Sequence, residues 1–224
     1  MTTTYRRVDE WCKWCWASPS PNNDDLVDKL GNILHRLFNP DLTPIYKHVP
    51  SHYLVLYNSN KQVSQLQYID QTYNEYRLNA SSLVVYIDGT CRSSGTAFAQ
   101  GAWGVFFGDK SRWNRGGLLR DLLPQTSVRA ELEALSQALD VVDEIRVSHP
   151  ELTQVRIASD CMYLVNAIAI WIWEWKPRGG VMTSRRKARH YGHICGIHDR
   201  LERMWSVGCM DRGANDLADR AFGP

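Results

Sequence analysis

Four acidic residues lie at places in the chain where a carboxylate is costly unless it has a use. Asp88 and Asp160 each follow a short apolar run. Glu131 lies near the start of a segment with helical periodicity, and Asp219 lies near the C-terminus. Carboxylates that are brought together raise one another's pKa, and a hard divalent cation with oxygen ligands relieves that repulsion. Two such ions about 4 Å apart can activate a water and stabilise the leaving oxygen of a phosphodiester. Taken singly, each acid is better explained as a turn former or as a partner of a helix N-terminus.

The segments around these acids predict a regular arrangement of strands and helices. Apolar runs at 83–87 and 155–158 predict two strands, which end at Asp88 and just before Asp160. If the two strands are neighbours, these aspartates emerge side by side, and a helix over 128–147 can add Glu131. Further strands are predicted at 102–107, 116–119 and 206–210, and further helices from about 161, over 189–205 and near 215. This order is typical of a mixed α/β sheet with helices packed against it.

The first 80 residues carry weaker signals than the rest of the chain. Apolar residues at helical spacing predict a helix over 26–37, and a short apolar run predicts a strand over 53–57. We therefore divide the chain into an N-terminal extension of unknown role, residues 1–80, and a regular α/β domain, residues 81–224.

Composition excludes several classes of protein. The chain has 224 residues, of which 26 are basic and 24 acidic, and the net charge is +2. This balance excludes a purely electrostatic nucleic-acid binder, although a local basic patch is still possible. No apolar run reaches the length of a membrane span, and the N-terminus lacks the apolar stretch of a signal peptide. We expect an intracellular protein, nuclear or cytoplasmic, whose six cysteines are thiols.

The sequence around the four acids carries more information than the acids alone. The segments are Tyr86-Ile87-Asp88-Gly89, Arg129-Ala130-Glu131-Leu132, Ala158-Ser159-Asp160-Cys161 and Asn215-Asp216-Leu217-Ala218-Asp219. In order and spacing they resemble the four motifs of type 1 ribonuclease H. The resemblance covers about residues 83–223. Each motif is weak evidence alone, but four in the right order indicate the family.

The resemblance implies a fold, an activity and a set of metal ligands. The fold would be a ribonuclease H-like five-stranded mixed sheet flanked by helices, with residues 1–80 as an extension. The activity would be metal-dependent endonucleolytic cleavage of the RNA strand of an RNA–DNA hybrid. The implied cofactor is Mg²⁺, as two ions for which Mn²⁺ can substitute. The implied catalytic and metal-binding residues are Asp88, Glu131, Asp160 and Asp219. Asp216 lies on the same face of the last helix as Asp219 and stays an alternative fourth ligand.

Two departures from the family pattern leave a second hypothesis open. Ser127 and Val128 replace a pair of amide side chains that the family usually has before the helix glutamate. The loop 207–214 lacks the histidine that the family often has there. The alternative is a catalytically impaired ribonuclease H-like domain that binds nucleic acid or protein. An acidic 3′–5′ exonuclease is less favoured, because it would carry Asp-x-Glu on its first strand, whereas residues 88–90 are Asp-Gly-Thr.

Substrate contacts are predicted in two places. Hydroxyl and thiol groups after the first aspartate and at the helix start can contact 2′-OH groups. The residues predicted there are Gly89, Cys91, Arg92, Ser94 and Ser127. A local excess of basic residues between Trp171 and Trp205 predicts phosphate contacts. It includes Lys176, Arg178, Arg185, Arg186, Lys187, Arg189, Arg200 and Arg203, against the acids Glu174, Asp199 and Glu202.

Two other patterns have ordinary structural explanations. Cys12-x-x-Cys15 and His48-x₃-His52 have the spacing of zinc-ligand pairs, but the pairs are too far apart for a common zinc finger, so thiols and surface histidines are favoured. The tryptophans at 171, 173 and 175 are favoured as residues at the edge of the core, with a nucleic-acid groove as the alternative.

Overall fold

The computed structural model describes residues 15–17, 38 and 40–204 of the chain. Strand β1 is Cys15–Ala17, β2 is Val55–Asn58, β3 is Val63–Asp70 and β4 is Glu75–Leu78. Strand β5 is Ser82–Arg92, β6 is Gln100–Phe106, β7 is Arg115–Leu118 and β8 is Gln154–Ala158. The helices are α1, Ser127–Ser148; α2, Met162–Asn166; α3, Ile172–Trp175; and α4, Tyr191–Met204. A π-helical turn, Ala167–Trp171, joins α2 to α3, and short 3₁₀ segments lie at Pro40–Leu42, Ser51–Tyr53 and Lys176–Arg178.

The described strands form one mixed sheet with β5 at its centre. Strand β5 pairs in parallel with β8 along one edge and antiparallel with β6 along the other. Strand β7 extends the sheet beyond β6, and β1 extends it beyond β8. Strand β3 also pairs with β5, where Ser64 lies opposite Val84, and it carries β2 and β4 on its own edges. The predicted mixed α/β class is confirmed.

The main core lies between the sheet and α1. Buried side chains recur along α1 at intervals of three and four residues, among them Leu132, Leu135, Leu139, Val142 and Ile145. This spacing places them on one face of the helix. Alternate residues of β5, namely Leu83, Val85 and Ile87, are at most 1% exposed and belong to the same cluster. The helix that carries Glu131 is therefore held against the strand that carries Asp88.

A second, smaller core covers the opposite face of the sheet. It contains Phe38, Tyr46, Val49, Leu54, Leu66, Val84 and Ala158. Val84 and Ala158 come from β5 and β8, so residues before 80 pack directly on the central strands. Polar contacts add to this packing, since the Ser64 hydroxyl donates to the Phe107 carbonyl at 2.8 Å.

The predicted elements after residue 80 agree with the structure within a few residues. The runs at 83–87, 102–107 and 155–158 lie in or overlap β5, β6 and β8, and the helix predicted over 128–147 is α1. The helix predicted from about 161 is divided by the π-helical turn, and the one predicted over 189–205 is α4. The helix predicted over 26–37, the strand over 206–210 and the helix near 215 lie outside the described residues.

The sheet extends beyond the five strands that the resemblance implied. Eight strands are described, and four of them precede residue 80. The strand predicted over 53–57 overlaps β2, whereas β3 and β4 were not predicted. A separate role for residues 1–80 stays a prediction. Among the described residues, no helix is both long and apolar enough to span a membrane.

Candidate metal centre

The pairing of β5 with β8 places two aspartates at the same level of the sheet. Tyr86 of β5 lies opposite Ala158 of β8 in the parallel register. Asp88 and Asp160 each follow two residues after that pair, so both emerge beyond it in the same direction. The Ser159 hydroxyl accepts a hydrogen bond from the Cys161 backbone N–H at 3.1 Å, which shapes the turn that carries Asp160.

Glu131 reaches the same place because α1 begins very close to β5. The helix is capped by Thr126, whose hydroxyl accepts from the Arg129 backbone N–H at 3.2 Å. Gly89 faces this first part of the helix. A Cβ at Gly89 would lie 2.5 Å from the Ala130 carbonyl carbon and would also collide with the Glu131 nitrogen. A glycine after Asp88 is therefore required for the helix to approach the strand this closely.

The three carboxylates form one cluster. Each of Asp88, Glu131 and Asp160 offers an oxygen, and these oxygens all lie within 4.8 Å of one another. Asp88 and Asp160 are exposed, whereas Glu131 is 5% exposed. The structure thus brings together three of the four acids that the sequence predicted. Asp219 and its alternative Asp216 lie outside the described residues.

The electrostatics of the cluster are unfavourable to a buried carboxylate. Burial and, to a smaller extent, the negative charges of Asp88 and Asp160 together raise the pKa of Glu131 to about 8, against a hydrogen bond from the Gly89 backbone that lowers it. Burial also raises the pKa of the neighbouring Cys161 thiol, with Glu131 and Asp160 adding to the effect. Glu131 therefore binds a proton at neutral pH unless a cation replaces it.

The donor set fits a hard divalent cation. Carboxylate oxygens are the ligands that Mg²⁺ and Ca²⁺ prefer. The Glu131 Oε2 atom is buried without a hydrogen-bond partner, which a solvated surface acid would not show. Among the described residues, Asp88, Glu131 and Asp160 form the one group of at least three metal-ligating side chains close enough together to hold an ion. His48 and His52 are not part of such a group, and Cys12 lies outside the described residues.

The first set of predicted substrate contacts lies around the cluster. Gly89, Cys91 and Arg92 belong to the second half of β5, Ser94 lies in the exposed turn that follows, and Ser127 is the exposed first residue of α1. Two of these residues also have structural contacts. Gly89 accommodates the helix backbone, and the Cys91 thiol donates to the Gln125 carbonyl at 3.2 Å. Cys91, Cys161 and Cys195 are free thiols, as predicted.

Most of the second set lies in the loop between α3 and α4, whereas Arg200 and Arg203 belong to α4. Arg185, Arg186 and Lys187 are exposed there, and a β-bridge between Val181 and Lys187 closes the loop. Lys176 forms an ion pair with Asp199 at 2.7 Å, so part of its charge is already neutralised. Arg178 pairs with Glu174, and Arg200 pairs with Asp140 and Asp143 of α1. The positive charge of this region outside these ion pairs therefore lies mainly in the exposed residues Arg185, Arg186, Lys187 and Arg189.

The tryptophans near this loop lie at the edge of the core. Trp175 is 6% exposed, and Trp171 and Trp173 are partly buried against the same cluster. The rings of Trp171 and Trp175 are 5.5 Å apart. This packing is the one that the aromatic spacing favoured.

The fold and the cluster together define a mixed α/β domain with a carboxylate site suited to a divalent metal. The family model described as RNase H matches residues 80–195. The chain belongs to the RNase H family. The match begins just before β5 and ends within α4, and it includes all three clustered carboxylates.

Individual relatives are similar over different shares of their length. A Ribonuclease H of Methylobacillus flagellatus is 28% identical over 148 residues, which cover 63% of this chain and 89% of that protein. A Ribonuclease H of Methylococcus capsulatus is 30% identical over 146 residues, 62% of this chain and 85% of that protein. Ribonuclease H1 of Mus musculus is 31% identical over 98 residues, which span only 32% of the mouse protein.

Proposed function

We propose that this protein is a metal-dependent endonuclease that hydrolyses the RNA strand of RNA–DNA hybrids. The observation that carries the proposal is the convergence of Asp88, Glu131 and Asp160 from three separate elements, with a buried Glu131 oxygen that has no hydrogen-bond partner. Membership of the RNase H family supports this assignment, and relatives named Ribonuclease H match over most of their length.

The chain's own residues would hold the ions and the scissile phosphate. Asp88, Glu131 and Asp160 would hold two Mg²⁺ ions through their carboxylate oxygens, with Asp219, or Asp216, as the fourth ligand. When bound, such ions lower the pKa of the attacking water and stabilise the charge on the leaving 3′ oxygen. Mn²⁺ shares the preference for carboxylate oxygens and should substitute.

Substrate recognition would depend on shape and charge. The exposed cations Arg185, Arg186 and Lys187, with Lys176, are candidates to contact phosphates. The 2′-OH groups of the RNA strand would meet Ser94, Ser127 and the segment Gly89–Arg92. In this proposal, the residues around the carboxylates distinguish the RNA strand from the DNA strand, and the basic residues between α3 and α4 provide affinity for the hybrid. An intracellular location, nuclear or cytoplasmic, agrees with such a substrate.

The test is cleavage of an end-labelled RNA–DNA duplex by the full chain in Mg²⁺ and in Mn²⁺. We expect RNA-strand cleavage in both metals, none with a chelator, and a loss of at least about 1,000-fold in Asp88→Asn, because a metal ligand is removed while the side-chain volume is kept. Asp109→Asn is the matched control, since Asp109 is an exposed acid in the β6–β7 loop.

Two results would count against the proposal. Equal cleavage by wild type and Asp88→Asn would identify a contaminating nuclease. Hybrid binding by the wild type without cleavage in either metal would favour the alternative, a catalytically impaired binding domain, which the replacement of amide side chains by Ser127 and Val128 suggests.

A further inference from the structure

The Gln125 side chain joins segments that surround the carboxylate cluster without belonging to it. Its Oε1 atom accepts from the Gly101 backbone N–H at 2.8 Å, which attaches it to the start of β6. Its Nε2 atom donates to the carbonyls of Arg120 and Leu123, each at 3.0 Å. One amide group thus makes three hydrogen bonds to backbone atoms of two separate segments, which exceeds what an ordinary surface glutamine forms.

The Gln125 backbone adds a connection to β5. Its carbonyl accepts from the Cys91 thiol at 3.2 Å, and Cys91 follows Asp88 on the same strand. Gly101 lies close to the start of the same loop, since a Cβ there would be 2.5 Å from the Leu119 side chain. Residues of β5, β6 and the loop before α1 therefore converge on this one glutamine.

The loop that Gln125 holds has few other contacts with the core. Leu122 is 98% exposed and Pro124 is also exposed, whereas Leu119 at the loop's start is buried. Gln125 directly precedes Thr126, the residue that caps α1. The hydrogen bonds of the Gln125 side chain therefore fix the backbone at the point where α1, the helix that carries Glu131, begins.

We propose that Gln125 is a positioning residue for the carboxylate cluster, an inference that rests on the proposed nuclease function. The Gln125 backbone carbonyl, which accepts from the Cys91 thiol, and the contact of Gly89 with Glu131 are two connections between β5 and the start of α1, and the Gln125 side chain ties the same loop to β6. Together they set the separation between Asp88 and Glu131. The buried face of α1 fixes the rest of the helix, so loss of Gln125 displaces the first turn while the domain stays folded.

The test compares Gln125→Met, which keeps the side-chain length but removes all three amide hydrogen bonds, with Gln137→Met. Gln137 lies further along α1 and donates to Glu133 at 3.0 Å, so the control removes an amide from the same helix. We expect Gln125→Met to lower kcat about tenfold, because a small misplacement of reacting groups is costly, while KM for the hybrid changes less than about twofold. Gln125→Glu keeps an acceptor for Gly101 and should retain more of kcat.

Mn²⁺ affinity, measured without substrate by the paramagnetic signal of the free ion, gives a second readout. We expect the dissociation constant to rise about threefold in Gln125→Met and to stay unchanged in Gln137→Met, since the outer contacts of metal ligands affect affinity. If Gln125→Met does not fold, Gln125→Glu is measured in its place. Wild-type kcat and Mn²⁺ affinity in the folded variants would overturn the inference alone, whereas a wild-type chain that neither binds Mn²⁺ nor cleaves would overturn the nuclease proposal as well.

Discussion

Acids at two places on α1 lie in opposite electrostatic surroundings. Asp140 and Asp143, midway along the helix, each receive a hydrogen bond from the Arg200 guanidinium at 2.6 Å. Burial lowers the pKa of Arg200, but its hydrogen bonds to these two aspartates outweigh burial, so the pKa lies above its ordinary value. Glu131, near the start of the same helix, instead faces Asp88 and Asp160, and its Oε2 has no hydrogen-bond partner.

The difference separates a structural use of acids from a functional one. The Arg200 group joins α1 to α4 and lowers the energy of the folded chain. The Glu131 group raises that energy until a cation binds, because burial and like charge both oppose ionisation. Carboxylates with strongly perturbed pKa values occur preferentially at functional sites. We therefore assign the proposed catalytic role to the group that contains Glu131, and a structural role to the group around Arg200.

Among the tests of this comparison, the largest expected effect is that of Glu131→Gln. We expect cleavage to fall at least about 100-fold, because a charged ligand becomes neutral. We also expect the melting temperature measured with a chelator to rise, because glutamine lies uncharged beside Asp88 and Asp160, whereas Glu131 must bind a proton there in the folded state. Hybrid cleavage and thermal unfolding are measured on the same preparations.

Glu144→Gln is the matched control for this experiment. Glu144 is an exposed acid of α1 that pairs with Arg115 at 3.6 Å, so neither activity nor melting temperature should change appreciably. A Glu131→Gln variant that melts well below the wild type in chelator would contradict the view that the cluster is destabilising without metal.

The second prediction concerns the pH dependence of stability without metal. The folded chain holds the pKa of Glu131 at about 8, above its ordinary value of 4.5, so between these limits the folded state binds more protons than the unfolded state. The free energy of unfolding should therefore decrease as pH rises from about 5 to about 8. Urea unfolding in chelator measures this slope.

Other groups titrate in the same range, so the informative quantity is the difference between wild type and Glu131→Gln. The variant should show a shallower decrease, and saturating Mg²⁺ should flatten the wild-type curve because the cation replaces the proton. Identical slopes in the two proteins would show that Glu131 does not carry the effect.

The smallest expected effect is that of Arg200→Met. Removing the guanidinium leaves Asp140 and Asp143, which are about half exposed, without their partner. Exposed ion pairs contribute at most about 1 kcal/mol each, so we expect the free energy of unfolding to fall by about 1 kcal/mol. The kcat of hybrid cleavage should stay unchanged. A tenfold loss of kcat at full folding would mean that the two groups of acids are not independent.

The elements around the site could be predicted because their signals are local. The periodicity of Leu132, Leu135 and Leu139 marks α1, and the apolar run of β5 ends in Asp88-Gly89. Strand β3 escaped prediction because glutamines interrupt its apolar pattern. In the structure the Gln65 amide donates to the carbonyls of Asn79, Ala80 and Ser82, and Gln67 donates to Tyr53. These partners lie in other segments, and no local pattern indicates that a buried glutamine will be satisfied by them.

Gly89 shows the same distinction within the site. Its position in the motif led us to predict a substrate contact, and that role stays a prediction. The structure adds that its missing side chain leaves space for the backbone of Ala130 and Glu131. A close approach between residues about 40 positions apart is a property of the packed domain and is invisible in a linear motif.

The amino-acid sequence by itself determined the order of strands and helices around the acids, the helix that carries Glu131 and the family to which the chain belongs. Side-chain periodicity and short motifs extend over only a few residues, so they can be recognised without knowledge of the packing. Tertiary structure alone decided that Phe38 and apolar residues within 45–69 cover the second face of the sheet, that Arg200 pairs with Asp140 and Asp143, and that Glu131 is buried beside two other carboxylates. Each of these depends on contacts between distant segments, and only such contacts set burial, charge pairing and therefore pKa.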